Sequence, residues 1–171
     1  MLSGLLLLCL PFSSFASATT SHISFSYAAR QRMQNRARLL KQYQTHLKKQ
    51  ARPFEINAWV VLPEHMHCIW TLPESDDDFS SRWREIKKQF THACGLQNMW
   101  QPRFWEHAIR NTKDYRHHVD YIYINPVKHG WVKQVSDWPF STFHRDVAKG
   151  LYPIDWAGDV TDFSAGERII L

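Results

Sequence analysis

At 171 residues the chain is long enough for one domain with a sizeable core and too short for two full ones. Hydrophobic residues make up 44% and aromatics 14%, with eight tryptophans, which excludes an intrinsically disordered chain. A formal net charge of +5, with ten further histidines, points to a polyanionic partner, nucleic acid ahead of an acidic membrane surface; three cysteines in no CxxC or zinc-ribbon spacing argue against a disulfide framework and a structural zinc, and favour a reducing compartment.

The opening MLSGLLLLCLPFSSFASA carries an apolar run, Leu5 to Leu10, and an Ala16-Ser17-Ala18 ending like a signal-peptidase site, without the basic residues expected near Met1. It is too short for a transmembrane helix. In SHISFSYAAR the alternation of Ile23, Phe25 and Tyr27 with polar residues predicts a half-buried strand. From Ala28 to Gln50, Met33, Ala37, Leu40, Tyr43 and Leu47 recur at steps of three and four among Arg and Lys, the pattern of a basic amphipathic helix, which Pro53 closes. Two runs rich in β-branched and aromatic residues, Ile56 to Leu62 and His65 to Leu72, are separated only by Pro63-Glu64 and predict a hairpin.

Ser75 to Asp78 reads as an acidic loop, with Asp78 or Ser80 capping a helix from Phe79 to about Cys94 that stops at Gly95. Its apolar stripe is Phe79, Trp83, Ile86, Phe90 and Cys94. RFWEHAIR, 103–110, predicts another strand, and 111–125 a helix capped by Asn111 or Thr112 and terminated by Pro126. Short segments punctuated by Gly130, Pro139, Gly150 and Pro153 lead to a loosely patterned tail. The division expected is a leader at 1–20 outside the domain, one domain at 21–158 and a tail at 159–171. The order of elements predicts an α+β domain, a ferredoxin-like, mainly antiparallel sheet with helices packed on one face, plus a C-terminal helix.

Within LPEHMHCIW, strand alternation puts His65 and His67 on one side and Met66 on the other, so the two imidazoles can chelate one cation; they can equally be two half-buried strand residues. Tyr121 and Asn125, four apart on the last helix, share a face, although Val119, Ile122, Tyr123 and Ile124 show that this helix also buries a core, and Tyr121 could belong to it. Two histidines, an amide oxygen, a phenol and a basic surface are together the parts for metal-assisted phosphodiester cleavage. The phenol would attack phosphorus, and the donor set tolerates Mg²⁺ or Mn²⁺. Arg82, Arg84, Lys87, Lys88, Arg103, Arg110 and Lys128 are candidate phosphate contacts, each of them equally an ordinary solvated charge. Trp100 and Trp105 are candidate stacking platforms for bases, and His117, His118 and His129 lie near the tyrosine.

The stretches NAWVVLPEHMHCIW, WQPRFWEHAIRN, DYRHHVDYIYINPVKHGWV and DWPFSTFHR resemble the REP-associated tyrosine transposases, domesticated bacterial relatives of the single-tyrosine HUH transposases, from about Arg52 to about Gly166. The resemblance implies a ferredoxin-like fold and cleavage of single-stranded DNA near hairpins of repetitive extragenic palindromes. It also implies a 5′-phosphotyrosine intermediate and a free 3′-OH. Carried over by position, His65 and His67 are metal ligands, Asn125 the third, and Tyr121 the nucleophile, with Tyr115 and Tyr123 excluded. A cytoplasmic protein, monomeric or weakly dimeric and without stable membrane association, is expected.

The first fifty residues depart from the family pattern, which begins with an aromatic strand of the central sheet. A shifted or misassigned start, a replacement strand in Ile23 to Tyr27, or true export would each account for this; the first is taken as the reading here. Two other functions stay open: a DNA-hairpin-binding protein without activity because the first strand is altered, and a secreted metal-binding protein, which rests on the leader alone.

Overall fold

In a computed structural model of the chain, which describes residues 18–26, 54–95, 100 and 105–158, four strands form one sheet. They are β1 (Ala18–Ser26), β2 (Glu55–Val61), β3 (His65–Glu74) and β4 (Trp105–Ala108), in the order β2-β3-β1-β4 with every neighbouring pair antiparallel. One hairpin and two connections that each skip a strand give the split βαβ order of a ferredoxin-like fold. The first of those connections, with the expected basic helix at 28–50, lies outside the described residues, as do Tyr27 and the tail from 159.

β1 takes a central place, with Ile23 opposite Cys68 of β3 on one side and Glu106 of β4 on the other. It starts at Ala18, earlier than the alternation of Ile23 to Tyr27 suggested, so Ala18 to Thr20 of the leader stretch belong to the sheet. Thr20 is buried and shares a 3.0 Å hydrogen bond with the Thr71 hydroxyl. The β2–β3 hairpin closes through the Leu62 N–H, which donates to the His65 carbonyl at 2.8 Å.

Alternation along β2 and β3 divides the core between the two faces of the sheet. Trp59, Val61, Met66, Cys68 and Trp70 pack with Trp83 and Ile86 of the first described helix, α1 (Phe79–Cys94). Ala58, Val60, Leu62 and Ile69 pack on the other face against Val119, Ile122, Tyr123 and Ile124 of α2 (Thr112–Lys128). Each of these large apolar side chains contributes about 1.5–3 kcal/mol by leaving water. Burial also pushes the Cys68 thiol well up, as suits an inert core residue. Beyond a 3₁₀ turn, Val135–Asp137, the chain covers the outer edge of β2: Val61 N–H donates to Phe140 and Thr142 N–H to the Trp59 carbonyl, at 2.9 and 3.0 Å. A six-residue helix, α3 (Phe143–Ala148), follows.

Both longer helices have the caps their sequences advertise. Asp78 accepts from Ser81 N–H at 3.0 Å, and Gly95 ends α1 at φ +65°, a left-handed conformation that favours glycine. Asn111 accepts from Asp114 N–H at 3.0 Å. The expected stop of α2 at Pro126 is corrected: the helix runs on to Lys128. A proline this close to the end removes one intrahelical bond, while His129 N–H still reaches the Asn125 carbonyl at 3.0 Å and Trp131 N–H the Pro126 carbonyl at 2.9 Å. Among the described residues, no helix is long and apolar enough to cross a membrane.

Candidate functional site

His65 and His67 stand at the start of β3 on the face that receives α2, while Met66 points into the opposite cluster. The C-terminal half of α2 brings Tyr121 and Asn125, one turn apart, to the same place. His65 Nε2 lies 3.3 Å from Asn125 Oδ1, and the rings of His65 and His67 are 5.0 Å apart. The Tyr121 ring meets His67 edge-on at 5.4 Å. His67 and Asn125 are fully buried and Tyr121 is 4% exposed, with His65 partly open. All four residues singled out in the sequence thus converge.

Two neighbours complete the arrangement. Lys128, considered in the sequence only as a phosphate contact, donates from Nζ to the Tyr121 hydroxyl at 3.1 Å and lies 4.5 Å from its ring centroid. His129 packs against His65 at 4.9 Å. The site sits at the C-terminal end of α2, where the backbone carbonyls leave a partial negative charge that favours cations.

The other tyrosines of α2 are placed differently. Tyr123 is fully buried and donates to Asp146, and burial together with that bond pushes its phenol far up. Tyr115 is pushed up to about 12 by burial, then by the charge of Asp146. Both are held in their neutral form at ordinary pH.

The surface cations separate as well. Arg82 is a correction to the sequence reading: it is 2% exposed, and its guanidinium clamps Asp76 in two bonds of 2.5 and 2.9 Å, so it ties the acidic loop to α1. Arg84, Lys88, Arg110 and Lys128 are exposed, and Lys87 is half-buried, its ammonium pushed down by burial and by Arg84. Arg103 lies outside the described residues. Trp100 packs on Trp83 at 5.6 Å and donates to the Thr91 hydroxyl, a core role. Trp105 stacks on His107.

A second cluster lies at the N-terminal end of α2, where Asp114 stands between His107 and His118. Burial, then the charge of His107, pushes His118 down to about 4. Burial raises Asp114, but the bonds from His107 and the Arg110 amide outweigh it and leave the carboxyl below its usual range. Sequence reasoning passed over this group. The signal available was an Asp and a His four apart on a helix, with a His on the strand before it.

No family model matches the chain. A REP-associated tyrosine transposase of Escherichia coli (strain K12) is 95% identical over 122 residues, 71% of this chain and 74% of the relative. The chain belongs to the REP-associated tyrosine transposases. A putative REP-associated tyrosine transposase of Haemophilus influenzae is 48% identical over 121 residues, 63% of this chain and 69% of that relative. A solved structure described as the REP-associated tyrosine transposase bound to a REP hairpin is 76% identical, superimposes with a TM-score of 0.84, and covers 91% of this chain and 94% of its own.

A stretch of 51 residues, 30% of this chain, is 96% identical to 20% of the probable endopeptidase YafL of E. coli (strain K12).

Proposed function

We propose that the chain is a divalent-cation-dependent endonuclease and strand transferase of single-stranded DNA that acts beside REP-type hairpins through a covalent 5′-phosphotyrosine intermediate, in the cytoplasm. The observation that carries this reading is the convergence of Tyr121 with His65, His67 and Asn125 from two separate elements. The relative solved with a REP hairpin supports the substrate.

Two imidazoles and one amide oxygen with no thiolate tolerate Mg²⁺ or Mn²⁺ where phosphate and water oxygens complete the shell, and the 3.3 Å between His65 Nε2 and Asn125 Oδ1 is close enough for both atoms to serve one ion. His65, His67 and Asn125 would hold it. Bound there, the ion would polarise a phosphate oxygen.

The remaining work falls to the chain. Burial of the Tyr121 ring against His67 restricts its rotation and keeps the hydroxyl aimed at one place. The Lys128 ammonium offsets the negative charge this oxygen carries as it attacks. The phenol releases its proton to water, its oxygen bonds to phosphorus, and the bond from phosphorus to the 3′-oxygen breaks. That oxygen leaves with the electron pair and is protonated to a free 3′-OH. Attack by another 3′-OH on the phosphotyrosine forms the new phosphodiester and returns the phenol. Exposed Arg84, Lys88 and Arg110 supply charge for the DNA backbone.

A hairpin-binding protein without activity was the second reading, based on the altered first strand. The pairing of Ala18–Ser26 with both neighbours weighs against it. A denaturing gel with a hairpin-bearing single-stranded oligonucleotide separates the two. The full chain is expected to form a protein–DNA adduct with Mg²⁺ or Mn²⁺, and Tyr121→Phe to bind the oligonucleotide without forming one. Cleavage by Tyr121→Phe would sink the proposal, and binding without an adduct in the unaltered chain would favour the second reading.

A further inference from the structure

The geometry points to a second cation site, built from His107, Asp114 and His118, that takes one divalent transition ion of the zinc class. It shares no residue with the site proposed above and does not depend on that reading.

The donors come from two elements that the fold presses together. Asp114 and His118 are four apart and so share a face of α2, while His107 projects from β4, whose odd positions face this helix. His107 Nε2 lies 2.9 Å from Asp114 Oδ2, and His118 Nε2 lies 3.3 Å from Asp114 Oδ1. One donor atom from each residue fits within a 4.8 Å span. Zinc bonds nitrogen and carboxylate oxygen at about 2.0–2.2 Å, which puts neighbouring tetrahedral ligands roughly 3.3 Å apart, so a modest adjustment of these side chains admits an ion.

The surroundings are those of a held ligand set. The Arg110 N–H donates to Asp114 Oδ2 at 3.0 Å, fixing the carboxylate, and the indole of Trp105 lies parallel to the His107 ring, 5.9 Å away with 7° between planes. The two imidazoles stack at 4.6 Å, so both turn their Nε2 atoms toward the same carboxylate. His118 is buried while His107 and Asp114 are half-buried, which leaves one side for water to complete the coordination. Two imidazoles with a carboxylate favour zinc over magnesium.

In the sheet order β1 separates β3 from β4, and through His22 of β1 the register sets His107 level with Ile69, so this cluster lies two strand spacings, about 10 Å, sideways from β3 and two residues further along it than His67. An ion here would join β4 to the first turns of α2. His118 precedes Tyr121 by one turn, so occupancy would stiffen the helix that carries the tyrosine.

Calorimetric titration with zinc of the metal-stripped full chain tests the site. In a His65→Ala/His67→Ala background, one equivalent is expected to bind and to raise the thermal midpoint by several degrees. Adding His107→Gln, a half-buried position, should weaken that binding at least tenfold while leaving the metal-free midpoint near its starting value. Adding His118→Gln should abolish both binding and shift. Loss of all zinc binding in the first background would overturn the site, because the ion then belongs to the paired histidines of β3. So would binding that His107→Gln leaves unchanged, or weak uptake of several equivalents in every variant; in each of these cases Asp114 only accepts hydrogen bonds from the two imidazoles.

Discussion

The two ends of α2 each meet a histidine-bearing strand, but under opposite electrostatic conditions. At the C-terminal end, where helix carbonyls supply partial negative charge, the proposed donors are imidazoles and the uncharged amide of Asn125, and two further cationic or titratable groups, Lys128 and His129, are accommodated. At the N-terminal end the helix presents partial positive charge, and the set includes a carboxylate, Asp114 in the first turn. A neutral amide suffices where the helix end and a phosphate substrate bring negative charge; the other end has to supply its own. The same reasoning assigns chemistry to one end and a clamp to the other.

Substitution at the two ends is the strongest way to break that contrast. Tyr121→Phe and His67→Ala should each lower adduct formation by on the order of a thousandfold or more, since one removes the proposed nucleophile and the other a proposed ligand. His107→Gln should lower it by no more than about tenfold, through helix positioning alone. Equal losses at the two ends, read on the same denaturing gel, would abolish the distinction between chemistry and clamp.

Lys128 sharpens the assignment of the C-terminal end. If its ammonium supports the phenol oxygen, Lys128→Ala should slow adduct formation by about ten- to a hundredfold and move the rising limb of the pH–rate profile to higher pH, with partial rescue by Lys128→Arg. A lysine acting only on the DNA backbone would instead weaken binding and reduce its salt dependence without moving the profile.

Local signals carried much of the fold. The hairpin, the Asp78 and Asn111 caps and the Gly95 stop depend on residues a few positions apart, and they could be read directly. The pairing of His65 with Asn125 spans sixty residues, so spacing could offer both only as parts of a metal site beside the plain structural reading, and it was the family resemblance that implied they share one site. Arg82 was misread because its carboxylate lies six residues upstream in a loop, beyond any helical periodicity. Its burial makes a prediction: Arg82→Ala should cost about 3 kcal/mol in urea unfolding, whereas Arg84→Ala, on the exposed side, should cost almost nothing and weaken DNA binding instead. Pro126 misled because the rule that proline stops a helix is weakest in the last turn.

The smallest expected effect tests the contrast among the tyrosines of α2. Burial and the charge of Asp146, partly offset by Arg145, raise the Tyr115 phenol to about 12, above the value of about 10 for an unfolded chain. Between those values the folded protein keeps a proton that the unfolded chain has lost, so stability must fall as pH rises. The contribution is complete below pH 10, is lost as pH climbs through about 12, and amounts to on the order of 2 kcal/mol. Tyr123 and Tyr152, both also raised by burial, add to the same slope. Urea midpoints measured from pH 8 to 11.5 should therefore decline for the unaltered chain and decline less steeply for Tyr115→Phe. An identical decline in the variant would mean that Tyr115 ionises as freely in the fold as outside it, and the separation of core phenols from the phenol at the histidines would lose its electrostatic basis.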